Sequence, residues 1–357
     1  MQLGILGLPV AGKTTIFNAL TGSQLPTGAL SGAARLEVHT AVVDVPDARL
    51  EALSRLYQPK KTTWAKVTYA DIGGLQVDAG REGLPGELLN RLGQMDGFVL
   101  VVRAFNDPSA PHPSGTVDAA RDLAAMEAEF LLNDMVVVER RLARLKEERQ
   151  KGGRDRAAVD RELSLFHRLE ETLSRSRPLR TLPLISDEAR RLTGFGLLSL
   201  KPLLVLINIA EGQKPPEITP PSESVSVLAL QGKLESEIAQ LPPEETRAYL
   251  AEYGIDESGR TRVLRASYEL LGLLSFFTVS EEEVRSWRLR RGGTALEAAG
   301  TIHTDLARGF IRAEVIAWNE LLALGGLTEA RRQGKLRLEG KDYVVAEGEI
   351  VHIRFNV

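Results

Sequence analysis

The hydrophobic pattern of this chain changes its period along the sequence, and the changes separate an α/β part from two segments of different character. In residues 1–118 and again from 182 to 274, short apolar runs alternate with more polar stretches. This alternation is typical of a mostly parallel sheet covered by helices on both faces. The predicted strands cover residues 2–6, 37–44, 65–70, 97–102, 202–208 and 224–230.

Between the fourth and fifth of these strands, apolar residues recur at helical spacing and charged residues fill the positions between them. They are Leu123, Met126, Phe130, Leu131, Met135, Val138, Leu142 and Leu145, followed after Gly152 and Gly153 by Leu163, Phe166, Leu169 and Leu173. The pattern predicts a long antiparallel helical hairpin, of coiled-coil type, inserted into the α/β domain. A charged amphipathic pair usually forms a solvated face over its own seam, and a partner-binding face is the alternative.

The C-terminal part of the chain has short apolar runs around one helical segment at 318–324. Its predicted strands are 276–279, 285–289, 310–315, 342–345 and 350–355. A chain of 357 residues is too long for one compact core. We therefore predict three domains: an α/β domain at 1–118 and 182–274, the inserted hairpin at 119–181, and a small α+β domain at 275–357.

The composition narrows the class of protein only in part. Hydrophobic residues make up 43% of the chain and charged residues 26%, which is ordinary for a globular protein. The net charge of -3 gives no global signal for nucleic acid, so any RNA contact depends on local basic patches. The chain has no cysteine, no signal-peptide layout at its start and no apolar run long enough for a bilayer. These features predict a cytoplasmic protein without a membrane partner.

Directly after the first predicted strand, residues 7–14 form a complete GxxxxGK[ST] phosphate loop. The motif functions where a buried strand leads through a glycine-rich turn into a helix, which is its predicted context here. Its backbone N–H groups surround phosphates, Lys13 reaches the β/γ oxygens and Thr14 holds Mg²⁺. The predicted nucleotide contacts are Leu8, Pro9, Val10, Ala11, Gly12, Lys13, Thr14 and Thr15.

A second element of a triphosphate site follows the third predicted strand, where Asp71 and Gly74 form a DxxG sequence. The aspartate of this motif holds the Mg²⁺ shell through water, and the glycine N–H contacts the γ-phosphate. Alone, DxxG is equally typical of an ordinary turn at a strand end. Together with the phosphate loop it predicts Thr14 and Asp71 as the residues that hold Mg²⁺.

The base is predicted to lie against two further loops at strand ends. Residues 208–211 read Asn-Ile-Ala-Glu, where a GTPase of this class carries Asn-Lys-x-Asp. Glu211 is one methylene longer than that Asp and the Lys is missing, so guanine preference is expected to be weakened, while the amide of Asn208 suits adenine. Ile209 completes the predicted base contacts in this tetrad. Gln231, Gly232 and Lys233 follow the next strand and either contact the base or form a plain turn.

In this order, these residues resemble the YchF/Obg-like ATPase family of P-loop proteins. The matching segments lie at 7–13, 45–53, 71–75, 208–211, 234–239, 302–315 and 354–357, and cover essentially the whole chain. The resemblance implies that the α/β domain binds nucleotide, ATP in preference to GTP, and that the C-terminal domain is a β-grasp-like TGS domain. It also implies docking to a ribosome or RNA. Candidate basic surfaces are Arg140, Arg141, Arg144, Lys146, Arg149, Lys151 and Arg154 on the hairpin, and Arg288, Arg290 and Arg291.

The chain departs from the family pattern at positions that bear on hydrolysis. Val10 replaces an asparagine associated with stimulation by K⁺, and its side chain offers no oxygen to a cation. Arg35 lies near the position where the family has its switch-I threonine, a ligand of Mg²⁺. Arginine has only hydrogen-bond donors and cannot bind the ion, so Thr40 is the nearby substitute. Leu75, which the family shares, cannot orient the attacking water. His112 lies near the position of a family histidine that is proposed to orient this water, and it is the predicted catalytic residue. The alternative is an ordinary surface histidine.

The sequence therefore predicts a nucleotide-dependent switch that binds ATP with Mg²⁺ and hydrolyses it slowly. One alternative is a nucleotide-binding module with little or no turnover, which Val10, Arg35 and Leu75 favour. The other is a GTPase, which requires Glu211 to replace the missing aspartate.

Overall fold

The computed structural model describes residues 1–27, 38–73, 84–151, 155–252 and 257–356. They divide into two compact units, Met1–Val42 with Thr68–Val263 and Val43–Val67 with Leu264–Val357. This division differs from the predicted domains in that 43–67 belongs to the C-terminal unit and the hairpin to the first. The reason for the first difference is a long-range strand pair, Lys61–Thr63 with 283–285, which no local pattern reveals.

The strands are β1 (Gln2–Leu6), β2 (Val38–Asp44), β3 (Lys61–Thr63), β4 (Lys66–Ile72), β5 (Gly97–Arg103), β6 (Leu203–Asn208), β7 (Ser226–Leu230), β8 (Leu273–Val279), β9 (Glu283–Arg290), β10 (Phe310–Ala317), β11 (Arg337–Glu339) and β12 (Glu349–Phe355). The α-helices are α1 (Lys13–Thr21), α2 (Ala48–Tyr57), α3 (Gly86–Gln94), α4 (Ala119–Lys151), α5 (Arg156–Ser174), α6 (Ser186–Leu192), α7 (Gly232–Ile238), α8 (Pro243–Glu252), α9 (Gly259–Leu270), α10 (Ala295–Ile302), α11 (Thr304–Arg308), α12 (Trp318–Leu324) and α13 (Leu327–Arg332). None of these helices, within the part of the chain that the structure describes, is both long and apolar enough to span a bilayer.

The sheet of the first unit has the strand order β2-β4-β1-β5-β6-β7. The pairs β1/β4, β1/β5, β5/β6 and β6/β7 are parallel, and every residue of β5 and β6 is buried. All six predicted strands are present within two residues of their predicted ends, and the α/β fold class is confirmed. Parallel strands end at one edge of the sheet, so the loops after β1, β4, β5, β6 and β7 converge there.

The inserted hairpin consists of α4 and α5. The first half of α4 packs on the sheet through Leu123, Met126 and Phe130, because its apolar stripe faces the same core as Phe98 of β5. Its second half packs on α5 in a separate apolar cluster. Between the two halves lies Asp134, which is fully buried.

The carboxylate of Asp134 accepts hydrogen bonds from the N–H groups of Leu198 and Ser199, both at 2.7 Å, and from the Ser199 hydroxyl at 2.6 Å. Burial raises the pKa of Asp134, and these hydrogen bonds oppose that effect. Asp134 therefore fastens the helical insertion to the loop that returns to β6.

Asp134→Ala is expected to lower the free energy of unfolding by about 2–5 kcal/mol, because buried N–H groups of Leu198 and Ser199 lose their acceptor. Urea unfolding of both chains measures this. The matched control is Asp160→Ala, which removes a half-exposed ion pair with Arg149 and is expected to cost under about 1 kcal/mol. Equal losses for the two variants would show that Asp134 is not an anchor.

The C-terminal unit contains a mixed sheet in the order β11-β10-β12-β8-β9-β3. Its core lies on both faces, one built around Phe276 and Val315 and the other around Phe277 and Ile316. The predicted strand at 342–345 is wrong. Val344 makes only an isolated bridge to Thr294, and β11 supplies the paired strand instead. Alternating burial arises equally in an extended loop, so the pattern at 342–345 does not distinguish a paired strand from such a loop.

Candidate functional site

The phosphate loop connects β1 to α1 in the shape that the motif requires. Gly12 has a φ of 86°, and a Cβ there would lie 2.3 Å from Nδ2 of Asn208. At Gly7, a Cβ would lie 2.4 Å from the carbonyl oxygen of Val101. Only glycine fits these approaches. Val10 has a φ of 55°, which is the left-handed region that β-branched residues avoid.

Lys13 and Thr14 lie at the start of α1, close to Asp71 near the end of β4. The Lys13 ammonium donates to the carbonyl of Leu8 at 3.0 Å, and the Thr14 hydroxyl donates to Oδ2 of Asp71 at 2.7 Å. Asp71 is only 4% exposed, and its Oδ1 has no hydrogen-bond partner in the described residues. The first turn of α1 and the end of β4 thus bring the predicted metal-site residues together.

These donors fit Mg²⁺, which prefers hydroxyl and carboxylate oxygens and retains several waters. Thr14 would supply a direct ligand, and the unpartnered oxygen of Asp71 would accept from a metal-bound water. No cluster of three or more His, Cys, Asp or Glu side chains exists among the described residues. When bound, Mg²⁺ would neutralise negative charge on the phosphates of a nucleotide.

Burial acts on both charged groups of this site. It lowers the pKa of Lys13 from 10.5 to about 8, and the nearby Asp71 opposes the shift. Burial also raises the pKa of Asp71, against the effects of the Thr14 hydrogen bond, Lys13 and His39. Lys13 is therefore a cation whose charge is incompletely compensated in the free protein. A polyphosphate would supply the missing negative charge.

Binding of a triphosphate is expected to take up protons at pH 9. Above about pH 8, Lys13 of the free protein is largely neutral, whereas phosphate oxygens favour its protonated form, so affinity falls as the pH rises. In the free protein, the lowered pKa penalises folding below about pH 8, and the penalty disappears as the pH rises from 8 towards 10.5. Calorimetric titration of Mg-ATP in buffers of different ionisation enthalpy measures the uptake. Proton uptake should be near zero at pH 7, and no uptake at pH 9 would refute the assignment of Lys13 as a phosphate contact.

Asn208, at the end of β6, is 3% exposed and connects two loops. Its Nδ2 donates to the carbonyl of Ala11 at 3.0 Å, and its Oδ1 accepts from the N–H of Gly232 at 3.2 Å. A Cβ at Gly232 would lie 2.6 Å from that Oδ1, so the close approach requires glycine. Only one N–H and one lone pair of the amide remain for a base. The predicted contact of Asn208 with adenine is restricted to these.

The other predicted base-loop residues lie around Asn208 because β6 and β7 are neighbours. Ile209 is buried and its N–H donates to the carbonyl of Leu230, so its side chain belongs to the core. Glu211 and Lys233 are exposed, and Gln231 precedes α7. Their contacts with a nucleotide remain predictions.

Sequence reasoning missed two residues that shape this side of the site. Gln213 accepts from the N–H of Ala210 at 2.9 Å and donates to the carbonyl of Ala104 at 2.7 Å, which fixes the turn that carries Glu211. The ring of Phe105 lies 3.9 Å from the position a Cβ would take at Gly12. The signal for Phe105 was an aromatic residue two positions beyond a buried strand. A glutamine in a polar loop gave no signal.

His112 is bound on both ring nitrogens. Nε2 lies 2.8 Å from Oδ2 of Asp122, on α4, and Nδ1 accepts from the N–H of Ser114 at 3.1 Å. Arg121 holds the other oxygen of Asp122. In this arrangement His112 fastens its loop to α4 and has no free nitrogen for a water molecule. Its predicted catalytic role requires release from Asp122.

The remaining predicted residues are Arg35, Gly74, Leu75 and Thr40. Arg35, Gly74 and Leu75 lie outside the described residues. Thr40 lies on β2 with an exposed side chain. The switch-I ligand of Mg²⁺ and the γ-phosphate contact therefore stay predictions.

A buried strand, a glycine-shaped loop at a helix start, and the pair formed by Thr14 and Asp71 define the class of P-loop nucleotide-binding proteins. Two family models match in the same order along the chain. One, described as a 50S ribosome-binding GTPase, matches residues 2–140, and the model named YchF-GTPase_C, described as a protein of unknown function, matches 273–356.

The chain belongs to the YchF family. It is 39% identical to the ribosome-binding ATPase YchF of Bacillus subtilis (strain 168), covering 100% of both chains. It is 35% identical to the protein of the same description from Escherichia coli O157:H7, covering 100% of this chain and 99% of the relative. The solved structure of the Schizosaccharomyces pombe YchF GTPase matches with a TM-score of 0.85 at 30% identity, over 99% of this chain and 97% of that one. The resemblance read from the sequence is confirmed.

Proposed function

We propose that this chain binds Mg-ATP, in preference to Mg-GTP, and hydrolyses it slowly, and that the bound nucleotide controls docking to the ribosome. The observation that carries the proposal is the partly buried Lys13 beside the Thr14–Asp71 pair, at the end of a glycine-shaped phosphate loop. Relatives described as ribosome-binding ATPases support hydrolysis of ATP and a ribosomal partner.

Preference for adenine is supported by the loop after β6. In a GTPase, a short carboxylate at a fixed distance accepts from the two donors on the edge of guanine. Here Glu211 is longer and exposed, and Gln213 fixes the turn that carries it. The donors of guanine therefore lose a matched acceptor, whereas the amide of Asn208 retains one N–H and one lone pair for a purine.

Slow turnover is supported by the position of His112, the residue predicted to orient the attacking water. Among the described residues around the phosphate loop, the histidine predicted for that role is bound to Asp122 and Ser114. Thr14 and Asp71, which are hydrogen-bonded to each other, would hold Mg²⁺, and Lys13 would stabilise charge on the phosphates. These residues bind and position the nucleotide, so they contribute electrostatic stabilisation without activating the nucleophile.

Steady-state phosphate release from Mg-ATP tests hydrolysis, with Lys13→Ala as the matched control. The proposal expects slow release by the wild-type chain, above the rate of the variant. Tight ATP binding without release above the Lys13→Ala rate would replace it with a nucleotide-binding module that lacks turnover. His112→Asn tests the predicted catalytic role: a rate within about threefold of wild type, after correction for folded protein, would assign His112 to structure.

Docking through the hairpin is supported by its basic residues only in part. Arg141 pairs with Glu148 and Glu162, and Arg149 pairs with Asp160. Lys151 pairs with Glu147, and Arg154 lies outside the described residues.

Among the exposed basic residues of α4, Arg140, Arg144 and Lys146 form no ion pair with the described residues. Changing these three to Glu should weaken ribosome co-sedimentation, and the wild-type association should fall steeply with salt. Unchanged association would transfer the docking role to another surface.

At the C-terminal unit, Arg288 donates to the carbonyl of Lys66 and Arg291 contacts Glu347, so this basic cluster is partly neutralised.

A further inference from the structure

Arg103, the last residue of β5, is a buried arginine with an unusual set of partners. It is 2% exposed, and its guanidinium donates to three backbone carbonyls: those of Phe105 at 3.0 Å, Ala110 at 2.8 Å and Val10 at 3.3 Å. It also lies over the ring of Phe105, 4.5 Å from the centroid. No carboxylate in the described part of the chain forms an ion pair with it. Burying an arginine without a direct ion pair is costly, so its position calls for an explanation.

Val10, one of the carbonyls that Arg103 binds, is the strained residue of the phosphate loop. A β-branched side chain in the left-handed region clashes with its own backbone, and such residues persist only where the surroundings hold them. Of the three positive-φ residues other than glycine in the described chain, Val10 alone lies in the phosphate loop. Something must therefore hold Val10 against relaxation.

The loop needs this conformation because a left-handed residue helps to turn successive N–H groups towards one point, which makes an anion-binding concavity. The carbonyls must then point away from the anion and need other donors. Ala11 O accepts from Asn208, and Leu8 O accepts from Lys13. Val10 O accepts from Arg103. The arginine thus supplies the donor for the strained position itself.

We propose that Arg103 is a positioning residue for the triphosphate site: it holds Val10 in the left-handed conformation, so that the loop presents its N–H groups to the phosphates. The proposal rests on nucleotide binding as proposed above. Arg103 acts through Val10, and its charge behind the loop adds to the attraction for a polyphosphate. A role limited to the loop after β5 is the competing explanation, because two of its three acceptors, Phe105 and Ala110, lie there.

A double-mutant cycle separates the two explanations, because glycine adopts the left-handed region without strain. We expect Arg103→Met to weaken Mg-ATP binding about tenfold or more in the wild-type background. In the Val10→Gly background, the same change should weaken binding by no more than about threefold, since the loop no longer needs to be held. Equal losses in the two backgrounds would overturn the proposal. Calorimetric or fluorescence titration gives the four affinities.

Two further measurements keep the result interpretable. Arg103→Lys retains the charge and one donor, and should show a smaller loss that Val10→Gly again suppresses. Thermal unfolding of each variant identifies losses caused by misfolding, and a lysine variant that folds but shows no suppression also overturns the proposal. Failure of the proposed function has a different signature, because the wild-type chain would then bind Mg-ATP no better than Lys13→Ala.

Discussion

Lys13→Ala is expected to weaken Mg-ATP binding by about a hundredfold or more, because it removes a partly buried cation that pairs with phosphate oxygens. The same change should not lower the stability of the free protein. Burial lowers the pKa of Lys13 to about 8, so its protonated form is penalised in the folded state at neutral pH. Loss of binding without loss of stability is the signature of a residue retained for function.

Titration of Mg-ATP and urea unfolding at pH 7 measure the two effects. Lys214→Ala, which removes an exposed lysine from the loop after β6, is the control and should leave both values within error. An affinity of Lys13→Ala within about threefold of wild type would show that the lysine does not contact the phosphates.

Asn208→Ala is expected to have the second largest effect, because it affects both folding and binding. It leaves the carbonyl of Ala11 and the N–H of Gly232 without partners beside a buried position. Each lost partner costs about 1–3 kcal/mol, so the free energy of unfolding should fall by about 2–6 kcal/mol. ATP affinity should also fall at least about tenfold, since the amide connects the phosphate loop to the base loop.

Urea unfolding and ATP titration of the same samples test this prediction. Asn133→Ala provides the control, because that amide makes one contact, to Asp134, far along the hairpin helix. Asn133→Ala should change the free energy of unfolding by under about 1.5 kcal/mol and leave ATP affinity unaltered. If the free energy of unfolding and the ATP affinity of Asn208→Ala equal those of this control, Asn208 does not connect the two loops.

The features that sequence predicted well are those set by local pattern. The phosphate loop is a contiguous motif, and the fully apolar runs of β5 and β6 identify strands buried on both faces. The helical spacing from Leu123 onwards likewise predicts α4, because one apolar stripe must face a core. The meeting of Thr14 with Asp71 followed from the rule that parallel strands end at one edge.

The features that sequence did not reveal depend on long-range partners. The pairing of β3 with β9 places residues 43–67 in the C-terminal unit, and no local signal indicates it. The partner of His112, Asp122, changes the expected role of that histidine. Arg103 is a charged residue at a strand end, which normally indicates solvent, yet it is buried against carbonyls. Such side chains acquire their meaning only from what surrounds them.

The central claim is that this P-loop site binds ATP in preference to GTP. Parallel titrations of the wild-type chain and of Lys13→Ala with Mg-ATP and Mg-GTP, at one pH and salt concentration, test it most directly. The account predicts that wild type binds ATP at least about tenfold more tightly than GTP, the equivalent of one matched hydrogen bond, and that Lys13→Ala loses affinity for both. Equal or tighter binding of GTP by the wild-type chain would contradict it.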